Sequence, residues 1–323
     1  MTSRGRRLLG IGVLVVLISA VVGAATYRRA AIWMAPRKTQ IAVRGAAAVA
    51  ADAVFWKTFH GARYDQLPDA IEVLTRAYLA TPNDSVTAAH LAWLHMWRIA
   101  ERVRLDAAPA TITDDMLLAR RYFAEAVRLD GSDPRTLGFL ASAMTGEGSI
   151  QGDERLVREG YFTMLDAIKA WPAFNLFTAG YVMSSLPALS TQFREGLEWQ
   201  WRDLEVCAGE RIDRAHPAFA RYFAQVKDRH ACLNTWVAPH NVEGFFLNMG
   251  DMLVKAGDWQ TAQVIYANAR LSRDYAAWKF VAVLEDRIRN ARQNVARFDG
   301  TDANPRSGLM INSSFSCMAC HQQ

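Results

Sequence analysis

From about residue 45 to residue 298, apolar residues recur at every third or fourth position, and the positions between them are rich in Ala, Leu, Arg and Glu. A repeat of that length is what an amphipathic helix needs to bury one face, and no alternating apolar–polar run long enough for a strand interrupts it. The pattern predicts an all-α body. Breakers divide it: Pro82, the Ala107–Ala110 stretch around Pro109, Asp130-Gly131, Trp171-Pro172 and Ala256-Gly257-Asp258 each fall between periodic runs. Thr145 to Asp153, rich in Gly and Ser, reads as a further internal loop. Asp286 to Phe298 reads as one polar, Arg-rich helix, Asp299-Gly300 as its stop, and residues 301–316 as a loop.

The helical pattern also repeats. Phe246-x2-Met249-Gly250-x2-Leu253 is followed, across the turn at Ala256–Trp259, by Ala262-x3-Tyr266-x2-Ala269. This spacing resembles the tetratricopeptide repeat, whose paired helices carry W-x2-L-G-x2-Y and A-x3-F. The small residues let paired helices approach closely, and the large ones fill the space between successive pairs. Weaker copies lie upstream, at Ala70-x3-Leu74-x2-Ala77, at Leu91-Ala92 with Ala119-x3-Phe123-x2-Ala126, and at Leu137-x2-Leu140-Ala141 with Met164-x2-Ala167. Residues 175–236 are helical in composition but depart from the pattern. The resemblance implies a tetratricopeptide-like α-solenoid of about four to five helix pairs over residues 45–298, with a concave surface that docks a partner protein.

Ahead of the body, Leu8 to Thr26 runs without a charge, about 19 residues and roughly 28 Å as a helix, close to the apolar thickness of a bilayer. Arg4, Arg6 and Arg7 precede it, and Tyr27 and Trp33 would meet the membrane interface. Residues 1–26 read as a signal anchor and 27–44 as a linker. The chain is then a single-pass protein of the cytoplasmic (inner) membrane with its body in the periplasm. The small residues Gly23-Ala24-Ala25 keep open the alternative of a cleaved signal peptide and a soluble periplasmic protein. Charge agrees with a membrane signal. The net charge of +5 would suit a nucleic-acid partner, but residues 1–38 hold seven basic residues and no acidic one, leaving 30 basic against 32 acidic in the rest. No nucleic acid is expected. The Asp and Glu residues of the body, mostly beside Arg at helical spacing, read as solvated faces, and no hydrolase constellation stands out.

The four cysteines fall in two pairs. Cys317-Met318-Ala319-Cys320-His321 has the C-x-x-C-H form of a c-type haem attachment site. Two thiols on one helical turn can add to two vinyl groups of one haem edge, and the next residue offers its imidazole to the iron as proximal ligand. A zinc site needs four ligands and a redox dithiol needs a βαβ setting, and neither pattern is present. The resemblance to c-type cytochromes covers this motif alone, so residues 299–323 read as a haem-bearing tail sheltered by the tail itself and by the last repeats. Met310 and His240 are the candidate distal ligands, with an open or water-bound position as the alternative. His60, His90 and His95 lie far away in sequence and read as packed within helices. Cys207 and Cys232 suggest one disulfide in an exported protein, or else two buried thiols. Together these features predict a membrane-anchored, periplasmic mono-haem c-type cytochrome that exchanges electrons with a redox partner docked on the solenoid. Two alternatives remain: a scaffold or assembly protein with a structural haem, and a five-coordinate haem peroxidase or sensor.

Overall fold

The computed structural model describes residue 23, residues 26–102, 105 and 107–298, and the turn at 317–321, apart from the side chains of Cys317 and Met318. The expected anchor at residues 8–26 falls almost wholly outside the described residues, as do Met310 and the loop around it. Among the described residues, no helix is long and apolar enough to cross a membrane. The chain divides into two units, Met1–Thr39 and Gln40–Gln323. In the first, residues 26–33 are helical and exposed, Tyr27 and Trp33 included.

In the second unit the described residues form α1 (Ala46–His60), α2 (Leu67–Ala80), α3 (Ser85–Ala100), α4 (Asp114–Leu129), α5 (Pro134–Gln151), α6 (Glu154–Ala170), α7 (Pro172–Met183) and α8 (Thr191–Ala208). Two short helices, α9 (Ala220–Phe223) and α10 (Arg229–Leu233), lead to α11 (Asn241–Lys255) and α12 (Trp259–Ala267). The short α13 (Val281–Arg289) and α14 (Asn294–Phe298) and the one-turn α15 (Cys317–Cys320) follow. The protein is all-α, and its helices pack in chain order. The closest partners are α1 with α2, α3 with α4, α5 with α6, α7 with α8, and α11 with α12. The first helices of neighbouring pairs also touch, α1 with α3 and α5 with α7. Several helices start the same way. Asp84, Asp133, Asp153 and Asp258 each precede a helix and accept from a backbone N–H two or three residues on, a cap worth about 1 kcal/mol. Of the expected linker, residues 40–44 belong to this unit: Gln40 accepts from the Ser85 N–H, and Arg44 pairs with Asp84 and Asp52.

The close approach expected of Gly250 is present, since a Cβ there would collide with the Tyr266 ring of α12. Three expectations need correction. Thr145 to Asp153 is not a loop, because α5 runs through to Gln151 and ends at Gly152, whose φ of 68° suits a left-handed cap. The small residues there serve packing instead: a Cβ on Gly146 would fall 2.9 Å from Met116, and one on Gly148 2.9 Å from Val157. Asp286 to Phe298 is two helices rather than one. Asn290 leaves helical geometry and its side chain donates back to Asp286 at 2.8 Å, the local bonding that makes Asn a helix-ending residue. Third, the acidic residues are not all on solvated faces, since Asp84, Asp115, Glu147, Asp203, Glu243 and Asp251 are buried. Partners on other helices hold three of them: Asp251 takes the Tyr266 hydroxyl at 2.5 Å and Arg287 at 3.2 Å, Asp115 takes His95 at 2.8 Å, and Glu147 takes Arg120 at 2.5 Å. Within the irregular stretch, Cys207 of α8 and Cys232 of α10 form a disulfide with Cα atoms 5.8 Å apart.

Candidate haem site

The turn α15 is sealed against α11. The His240 N–H donates to the Cys320 carbonyl at 2.9 Å, and the Trp278 indole N–H donates to the Ala319 carbonyl at 2.7 Å. The Cys320 sulfur rests on Gly244 of α11, where a Cβ would collide with it. Ala319, Cys320 and His321 are 0, 7 and 7 % exposed, so the segment is part of the interior. Burial, with the charge of Glu243 second, pushes the Cys320 thiol up to about 12.

His321 reaches from α15 to α1. Its ring centre lies 3.8 Å from that of Phe59 and 6.5 Å from that of His60. The sequence placed the motif beside the last repeats, whereas the structure sets it against the first helix as well. Burial pulls the His321 imidazole down to about 3, His60 adds to the effect and the Val237 carbonyl opposes it. The ring is therefore neutral at ordinary pH, which is the form that binds a metal. Its Nδ1 is buried without a hydrogen-bond partner. An unpaired buried nitrogen costs about 1–3 kcal/mol, so this ring is placed at a disadvantage unless something is bound to it.

Beside this motif two cavities adjoin. A pocket of about 80 Å³ has Cys320, His321, Trp93, Phe139 and Phe174 in its wall. Trp93, Phe139 and Phe174 also line a larger cleft of about 500 Å³, within the range of a small-molecule or cofactor site. The first helices of successive pairs supply the wall. Phe59 of α1 meets Trp93 of α3 at 5.5 Å, Trp93 meets Phe139 of α5 at 3.7 Å, and Phe139 meets Phe174 of α7 at 6.0 Å, centre to centre. Asp130, Ser132, Asp133, Arg135 and Thr136 make part of the cleft polar. The Arg135 guanidinium binds Asp133 and stands 4.9 Å over the Trp236 ring.

These residues fit a haem. A flat apolar macrocycle suits aromatic walls, its carboxylates suit the hydroxyls of Ser132 and Thr136, and a neutral imidazole with an unpaired nitrogen suits iron. Of the residues singled out in the sequence, Cys320 and His321 come together here. The Cys317 side chain and Met310 lie outside the described residues. His240 is buried next to the motif, but its Nδ1 faces Glu243 at 3.1 Å and it lines neither cavity. Sequence reasoning missed Phe59, Gly244 and Trp278. Their only signal was an aromatic or small residue at a position that a packed core would also fill. No protein-family model matches the chain, and a comparison with curated proteins finds no match.

Proposed function

We propose that this protein is a mono-haem c-type cytochrome, anchored in the cytoplasmic membrane with its body in the periplasm, that passes electrons to or from a partner redox protein. The observation that carries the proposal is the neutral, buried His321 of a C-x-x-C-H motif beside a 500 Å³ aromatic cleft. Cys317 and Cys320 would hold the haem covalently and His321 would hold the iron. Such a haem supplies one-electron chemistry. The aromatic walls pack against it, and the hydroxyls of Ser132 and Thr136 donate to its carboxylates. The body is a tetratricopeptide-like α-solenoid of about four to five pairs, a reading supported by sequential pairing and by first helices that share one cleft. The Cys207–Cys232 disulfide suits the oxidising compartment in which haem c is attached.

The test is a haem-dependent peroxidase stain of the denatured, exported chain. The wild type should stain, and Cys317→Ala with Cys320→Ala should not. An unstained wild type overturns the proposal. A second reading, a scaffold whose haem is structural, has one observation in its favour: Ala319, Cys320 and His321 are buried between α1 and α11. It is preferred if the haem-free double variant still supports the electron-transfer pathway in cells.

A further inference from the structure

We infer that the Cys207–Cys232 disulfide is a site of thiol–disulfide exchange, reduced by an external dithiol, and that the Asp203 carboxyl gives the Cys207 sulfur its proton; this stands apart from the haem reading above. Asp203 and Cys207 lie four residues apart on α8, which puts them on one face of that helix. Both of them, with Cys232 of α10, line one small cavity of about 30 Å³. Among the described residues no other charged side chain lines it, and Phe219, Phe223, Phe245 and Phe246 supply much of the wall. One carboxyl and the two sulfurs of the bond therefore share an otherwise apolar cavity.

Asp203 is unlike other buried acidic residues of the body. Asp84, Asp115, Glu147, Glu243 and Asp251 each face an arginine or a histidine. Asp203 is 5 % exposed, and its Oδ1 is buried without a hydrogen-bond partner. Burial alone pushes its carboxyl well above the usual carboxylate range, so it keeps its proton to a higher pH than an exposed aspartate. An unpaired carboxyl in such a place costs stability, and a leucine of similar size would not. What the aspartate adds is a proton beside the Cys207 sulfur.

The two sulfurs differ in access, since Cys207 is buried and Cys232 is partly exposed. A thiolate of the dithiol attacks the Cys232 sulfur. A bond forms between them, the Cys207–Cys232 bond breaks, and its electron pair leaves on the Cys207 sulfur. A thiolate is poorly stabilised in apolar surroundings, and the Asp203 proton converts it to the thiol. The second thiol of the dithiol then gives up its proton, which restores Asp203, and attacks the dithiol sulfur bonded to Cys232. Cys232 leaves as a thiolate and takes from water the proton that the first thiol released. Two electrons have passed from the dithiol, now a disulfide, to the two cysteines.

The experiment follows reduction of the folded, exported protein by dithiothreitol at neutral pH. Alkylation and peptide mass count the thiols at Cys207 and Cys232, a readout that the haem does not enter. The wild-type rate should be nearly independent of urea well below the unfolding midpoint. A rate that climbs with urea as steeply as global unfolding does means that only the unfolded chain is reduced, and overturns the exchange site. So does a folded wild type that stays oxidised where the urea-unfolded chain is reduced. Asp203→Asn and Asp203→Leu should be reduced roughly 10- to 100-fold more slowly than the wild type, and Asp203→Glu should recover part of the rate. Lost stability would speed reduction, so a slower rate separates proton donation from packing. The leucine variant stands in if the buried amide prevents folding. An unchanged or faster rate in the variants that fold overturns the role of Asp203.

Discussion

Gly244 lies in the first turn of α11, where the local sequence gives no reason for a glycine. Alanine would favour the helix there by about 1 kcal/mol, yet its Cβ would collide with the Cys320 sulfur. Gly244→Ala is expected to keep its helicity by circular dichroism and to lose most of its covalent haem, and an undiminished haem stain would refute the placement of the sulfur. Lys255, near the end of the same helix, offers a pH test. It donates to the Ser184 carbonyl at 2.9 Å and stands 5.1 Å over the Phe193 ring, and burial lowers its ammonium to about 8. The unfolded chain holds this proton up to about 10.5, so between about pH 8 and 10.5 it binds more protons than the folded one, and this group adds stability as pH rises. The Tm difference between wild type and Lys255→Met should therefore move in favour of the wild type from pH 8 to pH 10, and a constant difference would mean that Lys255 keeps an ordinary pKa. The sequence offered no sign of this burial, because a lysine in the last turn of a helix reads as a solvated charge.

The regular helices were legible because their information is local. Ala119, Phe123 and Ala126 recur at helical spacing and all three are buried in α4. The stretch at Gly146 and Gly148 was misread for the opposite reason. A glycine that admits a neighbouring helix and a glycine that frees a loop are the same letter, and Met116 and Val157 decide between them. Between α8 and α11 the chain has only short helices, so the Cys207–Cys232 bond supplies restraint that paired helices give elsewhere. It closes a segment 25 residues long, worth about 3 kcal/mol in the chain-entropy model. The Cys207→Ser, Cys232→Ser double variant should unfold at a clearly lower urea concentration than the oxidised wild type. Addition of a reductant should bring the wild type towards the variant and leave the variant unchanged.

For the whole molecule, the segment 317–321 joins distant parts of the second unit. Cys320 is packed on α11, His321 on α1, and the Ala319 carbonyl on Trp278. Ala319 and Cys320 also belong to the largest buried cluster, with Phe246, Tyr266 and Trp278. A chain lacking residues 317–323 should therefore stay helical, since successive helix pairs bury their core against one another, but should melt several degrees lower. An unchanged Tm would make the segment a passenger on a self-sufficient fold.

The sequence by itself determined the helices, most of their boundaries and the motif at Cys317–His321, because periodicity, capping and C-x-x-C-H spacing are written within a few residues of one another. It could not place His321 against Phe59 or Cys320 on Gly244. Those meetings depend on how the helices pack on one another, which is set by the shapes of residues such as Gly250 and Tyr266 at each contact. The C-x-x-C-H motif was therefore legible, and the surroundings of His321 were decided by the fold: the Phe59 ring against it, its burial and its neutral state.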